Sequence, residues 1–270
     1  MAAVRGFLFY LVFAVTVIPA ALTILITWPF TSSEWRYDHV GIVWARFMIR
    51  ALECICGVRH RLLGLENIPG DGRPLVVLSK HQSAWETLFL PVCLPNRMGF
   101  VYKKSLHWIP FFGWALKSMR MIAIDRSEGR SAYQIFRERG ELFLKRGWWV
   151  ILFPEGTRTR PGAATTYKTG GTRFACSLGV DVLPVALNSG RLWPRNSIAK
   201  KPGTITVSFG PVISTRGREP HEVNAEVAQW IENEIRRWDV PEETPKDPAS
   251  SSSPTASASS TSSSSGKQEA

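Results

Sequence analysis

Cysteine is scarce in this chain of 270 residues, and the four present are not spaced as metal ligands. Cys54 and Cys56 are too close in sequence to be read as a disulfide, and Cys93 and Cys176 sit in apolar contexts. With no CxxC pair and no histidine cluster, nothing points to zinc, and the thiols are read as reduced and structural; no metal and no cofactor is expected. Charge is missing from Phe7 to Phe30, "FLFYLVFAVTVIPAALTILITWPF", a run of 24 residues long enough for a bilayer core of roughly 30 Å. No convincing cleavage site precedes the charged stretch that follows, which argues against a secretory signal. Large apolar side chains are missing after Pro241, where Ser, Pro and Ala dominate and a packed core cannot form, so residues 241–270 are expected to be disordered. Internal repeats are also lacking.

What is present is a basic body. The tail carries four acidic and two basic residues, so the net +11 of the whole leaves +13 on residues 1–240. Such a body is drawn to polyanions, whether anionic membrane, phosphorylated small molecules or nucleic acid. The apolar run favours membrane over nucleic acid. Pro19 can kink it, so a crossing helix and a bend within one leaflet both stay open. One arginine (Arg5) precedes the run and three (Arg36, Arg46, Arg50) follow within twenty residues, which places the body on the cytoplasmic side. Asp38 to Cys56 reads as a second helix with Arg46, Arg50 and Glu53 on one stripe, suited to an interface or to packing on the first. Eleven tryptophans suit a membrane-contacting surface and a core equally.

Beyond Gly64, short apolar runs alternate with helical stretches. Strands are expected at 74–79, 98–102, 121–124, 148–153, 182–187 and 204–209. Helices are expected near 84–94, 107–119, 130–145, 172–178 and 222–238. This alternation predicts an α/β sandwich with a largely parallel sheet, whose strand-end loops carry ligands. The expected division is 1–60, membrane-associated helices; 61–240, catalytic domain; 241–270, tail.

The unusual polar groups fall at those strand ends. "SKHQSAWE" sets His81 five residues before Glu86. Ser83-x-x-Glu86 reads as a capping box, in which Ser83 accepts from the amide three residues on and Glu86 reaches back. On a continuous helix, residues five apart point roughly 140° away from each other. A helix starting at Ser83 instead lets His81 fold back towards Glu86, and a carboxylate on one ring nitrogen leaves the other free to take a proton. No serine is clearly placed as a nucleophile. "FPEGTRTR" follows a strand and presents Glu155, Gly156, Thr157 and Arg158; glycine lets backbone amides approach an anion and arginine offers a planar fork for phosphate. "MIAIDRSEGRS" presents Arg126 at a strand end. "YKTGGTRF" carries Lys168 and Arg173 around two glycines. "VYKKSLHWIPFFGW" places Lys103 and Lys104 before an aromatic segment that fits either core or an acyl-chain guide.

Together and in this order these blocks resemble the glycerolipid acyltransferase family, most closely the bacterial 1-acyl-glycerol-3-phosphate acyltransferases. His81 to Glu86 matches the family's His-x4-Asp block with glutamate for aspartate. Lys103 and Arg126 match the second block, Phe153–Arg158 repeats F-P-E-G-T-R unaltered, and "VDVLPVAL" around Pro184 matches the fourth. The likeness covers about residues 70–210 and the N-terminal membrane-associated helices.

The resemblance implies transfer of a fatty acyl group from acyl-CoA or acyl carrier protein to lysophosphatidate at the inner (cytoplasmic) membrane, giving phosphatidate. His81 would act as general base, with Glu86 stabilising the imidazolium. Arg126 and Arg158, with Lys103 and Lys168, would hold the acceptor phosphate. Glu155 would orient an arginine or the glycerol, and helix amides near Ser83 are candidates for the oxyanion. Partners are then the donor, lysophosphatidate and anionic lipids, without nucleic acid. Glycerol-3-phosphate or another lysolipid as acceptor, and a lipid-binding protein without turnover, are the alternatives.

Overall fold

The computed structural model describes residues 1–239; the tail expected from residue 241 lies outside the described residues. The chain opens with α1 (Ala2–Thr27), a continuous helix through Pro19. The short α2 (Ser33–Arg36) is capped by the Ser32 hydroxyl, which accepts from the Trp35 amide. A π-helical turn then leads into α3 (Ile42–Cys56), which ends at Gly57 in the left-handed region (φ 70°). There follow β1 (Val58–Leu63), β2 (Val76–Ser79), α4 (Trp85–Cys93), β3 (Met98–Lys103), α5 (Phe112–Ser118) and β4 (Ile122–Ile124). The chain continues through α6 (Arg130–Lys145), β5 (Trp149–Leu152), α7 (Gly170–Leu178), β6 (Val182–Leu187), β7 (Gly203–Phe209) and α8 (Pro220–Asp239).

The seven strands form one sheet in the order β1-β7-β6-β2-β5-β3-β4. Every neighbouring pair is parallel except β6 and β7, where Val185 faces Phe209. The largely parallel α/β architecture is therefore present. The central strands β6, β2 and β5 are apolar but for Ser79, because both faces are covered. Alternate side chains go to opposite cores: Val77, Ile151, Leu183 and Val185 pack towards α3 and α4, while Val76, Leu78, Val150 and Ala186 pack towards α6, α7 and α8.

Strand β1 escaped the sequence pattern, because Arg59, His60 and Arg61 break any alternation and are exposed. It forms as an edge strand, pairing only with β7, and an edge tolerates charge. The helix expected over 107–119 starts at Phe112 instead, since Pro110 interrupts it and residues 104–108 wind as a 3-10 turn. The expected boundary at residue 60 falls inside β1. Residues before it share the sheet's core, with Phe9, Met48 and Leu52 among Val77, Trp85 and Ile205.

One consequence of the strand order governs the site. β6, β2, β5, β3 and β4 all run the same way, so the loops that follow them emerge along one edge. Those loops carry, in that order, Ser189, His81, Glu155–Arg158, Lys103 and Arg126.

Candidate active site

His81 follows β2 in a turn that doubles back on the start of α4. Its Nδ1 lies 3.6 Å from Glu86 Oε2, and its ring stacks on Phe153 with centroids 4.0 Å apart. At that distance Nδ1 has no hydrogen-bond partner although it is buried. Its backbone is pinned at both ends: the His81 amide donates to Glu155 Oε1 (3.2 Å), and its carbonyl accepts from the Thr159 amide (2.8 Å) and hydroxyl (3.2 Å). The loop after β5 therefore braces the histidine that follows β2.

Glu86 is fully buried, and four donors converge on its carboxylate. They are the amides of Gln82 (2.9 Å) and Ser83 (2.9 and 3.1 Å), the Ser83 hydroxyl (3.2 Å) and the Ser189 hydroxyl. Glu86 thus reaches back to the helix start and faces His81 at once. The capping box departs in one detail, since Ser83 Oγ accepts from the Trp85 amide (3.0 Å) and not from that of Glu86. The Gln82 and Ser83 amides are committed to Glu86, which removes these two from the candidates for an oxyanion.

Ser189 carried no local signal. It lies 103 residues from Glu86 in sequence and arrives only because β6 lies beside β2. The same turn donates the Gly190 amide to the Gln82 side chain (3.1 Å), and the Asn188 side chain accepts from the Thr206 amide on β7 (2.9 Å).

Glu155 is buried, with Oε1 3.5 Å from Lys80 Nζ and bonded to the His81 amide, so it braces the chain behind His81; among the described residues no arginine is paired with it. Burial pushes its carboxyl up from the ordinary value, with Lys80 opposing. Lys80 also pairs with Glu232 of α8 (2.6 Å), which accepts from Tyr167 (2.7 Å). Lys80 sits next to His81 in sequence, yet nothing local marks it as the tie between α8 and this turn.

Gly156 has φ +71°, and a Cβ there would stand 3.0 Å from Lys168 Nζ, so glycine both permits the turn and admits the lysine. Thr157, Lys103 and Lys168 are exposed, and Arg158 is half-buried. The side chain of Arg126 lies outside the described residues.

An apolar cavity of about 360 Å³ begins among these groups. His81, Lys103 and Gly156 line it together with Val17 and Ala21 of α1, Ile42 of α3, Phe100 of β3 and Leu116 of α5. The aromatic segment after Lys103 contributes Leu106 and Phe112 to its wall. A proton acceptor buried at one end of such a space suits a reaction on a substrate with a long apolar part.

Comparison with known proteins agrees. A family model described as acyltransferase matches residues 59–188. A 1-acyl-sn-glycerol-3-phosphate acyltransferase of Pseudomonas aeruginosa is 40% identical over 232 residues, covering 85% of this chain and 89% of that one. The alpha form of the same enzyme from Mus musculus is 29% identical over 186 residues, covering 67% of this chain and 64% of that one. The crystal structure of the 1-acyl-sn-glycerophosphate acyltransferase of Thermotoga maritima superposes with TM-score 0.73 at 22% identity, covering 90% and 98% of the two chains, and speaks for the fold. By the blocks at His81 and Phe153 and by these likenesses, the chain belongs to the acyltransferase family, among the 1-acyl-sn-glycerol-3-phosphate acyltransferases.

Proposed function

We propose that this chain moves a fatty acyl group from a thioester to the free hydroxyl of 1-acyl-glycerol-3-phosphate, giving phosphatidate. The observation that carries the reading is the half-buried His81, backed by the buried Glu86, opening onto an apolar cavity. With Nδ1 turned to Glu86, the other ring nitrogen takes the proton of the acceptor hydroxyl as its oxygen adds to the thioester carbonyl. The Nδ1–Oε2 gap of 3.6 Å closes as the imidazolium forms, since catalytic hydrogen bonds are often long before substrate is in place. Collapse of the tetrahedral intermediate expels the thiolate, which takes the proton back from His81. No acyl-enzyme intermediate is required.

Lys103 and Lys168, exposed beside the cavity mouth, are placed to meet the acceptor phosphate, with Arg158 and Arg126 assigned the same task from the sequence. The cavity takes an acyl chain. The donor is acyl-CoA or acyl carrier protein.

α1 is long and apolar enough to cross a membrane. It packs against the body from Phe9 to Ile24, while Phe7, Leu11, Val15, Ile18, Leu22 and Ile26 form an exposed apolar ridge. A crossing would carry α3 with its exposed Arg46 and Arg50 into hydrocarbon, so the geometry favours a ridge sunk into one leaflet. The basic body draws this ridge to an anionic lipid surface, on this reading the cytoplasmic face of the inner membrane.

The test is phosphatidate formation from a thioester and lysophosphatidate by detergent-solubilised protein. His81→Ala should lose about 10²–10⁴-fold in kcat, and Glu86→Gln should fall strongly while the fold is kept. Full activity in His81→Ala would remove the histidine from the chemistry.

A further inference from the structure

The reaction joins two phosphate-bearing substrates, and the groups beside the cavity account for one of them. Attack on the thioester brings the acceptor hydroxyl to His81, and the acceptor phosphate is only a glycerol carbon or two away. Lys103 lines the cavity with His81, and Lys168 Nζ lies beside Gly156 of the same lining, so both lysines stand on the acceptor's side. The donor's phosphates sit at the far end of a long flexible pantetheine arm and must be met elsewhere.

Charge along the chain is uneven in a way that points to where. Between Glu155 and Glu219 there is a single acidic residue, Asp181, against ten lysines and arginines. Asp181 precedes β6 and lies 3.5 Å from Arg73, at the sheet edge opposite His81. Apart from the buried Glu155, the loops that follow β5 and β6 on the His81 side therefore carry positive charge and none of the opposite sign.

The two loops are one surface. An Arg195 guanidinium nitrogen donates to the Arg158 carbonyl (3.0 Å). A Cβ at Gly190 would stand 2.9 Å from Gln82 Cβ and 3.1 Å from Pro161 Cγ, so the loop after β6, the loop after β5 and the His81 turn are in close contact. Thr159 ties this surface to the His81 carbonyl. Arg160 and Arg195 are both exposed on it, and neither lines the apolar cavity.

We infer that the face formed by residues 159–161 and 190–195, with Arg160 and Arg195 among its exposed cations, binds the phosphate groups of the thioester donor at the end of its pantetheine arm. The inference rests on the acyltransferase reading and adds the donor's place to it. The acyl chain then runs into the cavity from His81 and the arm leaves over this face, so donor and acceptor phosphates have separate holders. Guanidinium groups suit the task, since their planar forks match phosphate oxygens, and an acid-free surface raises the local concentration of a polyanion.

The experiment compares wild type, Arg160→Glu and Arg160→Glu/Arg195→Glu with three donors carrying one acyl chain: palmitoyl-CoA, palmitoyl carrier protein and the phosphate-free palmitoyl-N-acetylcysteamine. Reversing both charges should lower kcat/KM for the phosphate-bearing donors by about tenfold, with the single variant between, while the phosphate-free thioester and the lysophosphatidate KM stay within about twofold. Added salt should reduce the wild-type preference for the phosphate-bearing donors over the phosphate-free one. Loss with CoA and not the carrier, or the reverse, supports the site and names the source of the phosphate. An equal fall for all three donors, or a raised lysophosphatidate KM with donor constants unchanged, overturns it. Wild type that turns over no thioester overturns the proposed function as well.

Discussion

At the scale of residues, Glu86 does two jobs that its one extra methylene over aspartate makes compatible. Its carboxylate reaches back over the helix start to take the Gln82 and Ser83 amides, and Oε2 still faces His81 at 3.6 Å. Ser189 completes the shell from the other side. A hydrogen bond to a charged group is worth about 1.5–3 kcal/mol, so Ser189→Ala should cost about tenfold or more in kcat with little change in either KM. Steady-state kinetics on a variant with an unchanged circular dichroism spectrum checks this. Spacing allowed the His81–Glu86 pairing beside a plain capping box, because both residues belong to one turn, and the ordered blocks of the family resemblance decided between them. Ser189 was not, since nothing in "ALNSG" distinguishes its hydroxyl until β6 is laid beside β2. Glu155 was legible as part of a motif but not in its contacts, for which Lys80 must first be buried.

Among elements, the seating of α1 is the least expected feature. Gly6 packs so closely that a Cβ would fall 1.9 Å from the Ile198 carbonyl oxygen, and any side chain there would push the helix off the body. Beside it Lys200 is fully buried, and among the described residues no carboxylate pairs with it. Its Nζ bonds Tyr10 Oη (3.2 Å) and the carbonyls of Ser197 (2.8 Å) and Ile198 (3.0 Å), and lies over the Tyr10 and Trp193 rings. Burial lowers its pKa to about 8, with the nearby Cys56 opposing. The unfolded lysine holds its proton up to about pH 10.4, so across the window from about 8 to 10 the unfolded chain binds more protons than the folded one. Stability relative to Lys200→Met should therefore rise with pH through that window and be flat below it. Melting temperatures of the two proteins at pH 7, 8, 9 and 10 in one detergent give the difference directly. A difference that stays constant would mean that the buried lysine keeps its charge throughout.

For the whole molecule, the ridge of α1 and the aromatics Trp28, Phe30 and Trp108 are exposed apolar groups, and apolar surface left open in this way marks a contact with membrane or partner. Leu11→Glu/Val15→Glu should sharply reduce co-sedimentation with vesicles containing anionic lipid while leaving the sheet core untouched, because both side chains point away from it. Retained sedimentation would move the membrane contact to another surface.

What the sequence by itself determined follows from local physics. Strand and helix periods gave the α/β class, the uncharged run gave a helix long and apolar enough to cross a membrane, and the ordered blocks of the family resemblance singled out His81 with Glu86 and the F-P-E-G-T-R block at a strand end. The tertiary structure alone decided what long-range pairing controls. It placed β1 at an edge despite its charges, packed α1 along the body, turned Glu155 inward to Lys80 and brought Ser189 to Glu86. It also laid the loop of Arg160 against the loop of Arg195. These contacts join segments far apart in the chain, and only the order and direction of the strands sets which of them meet.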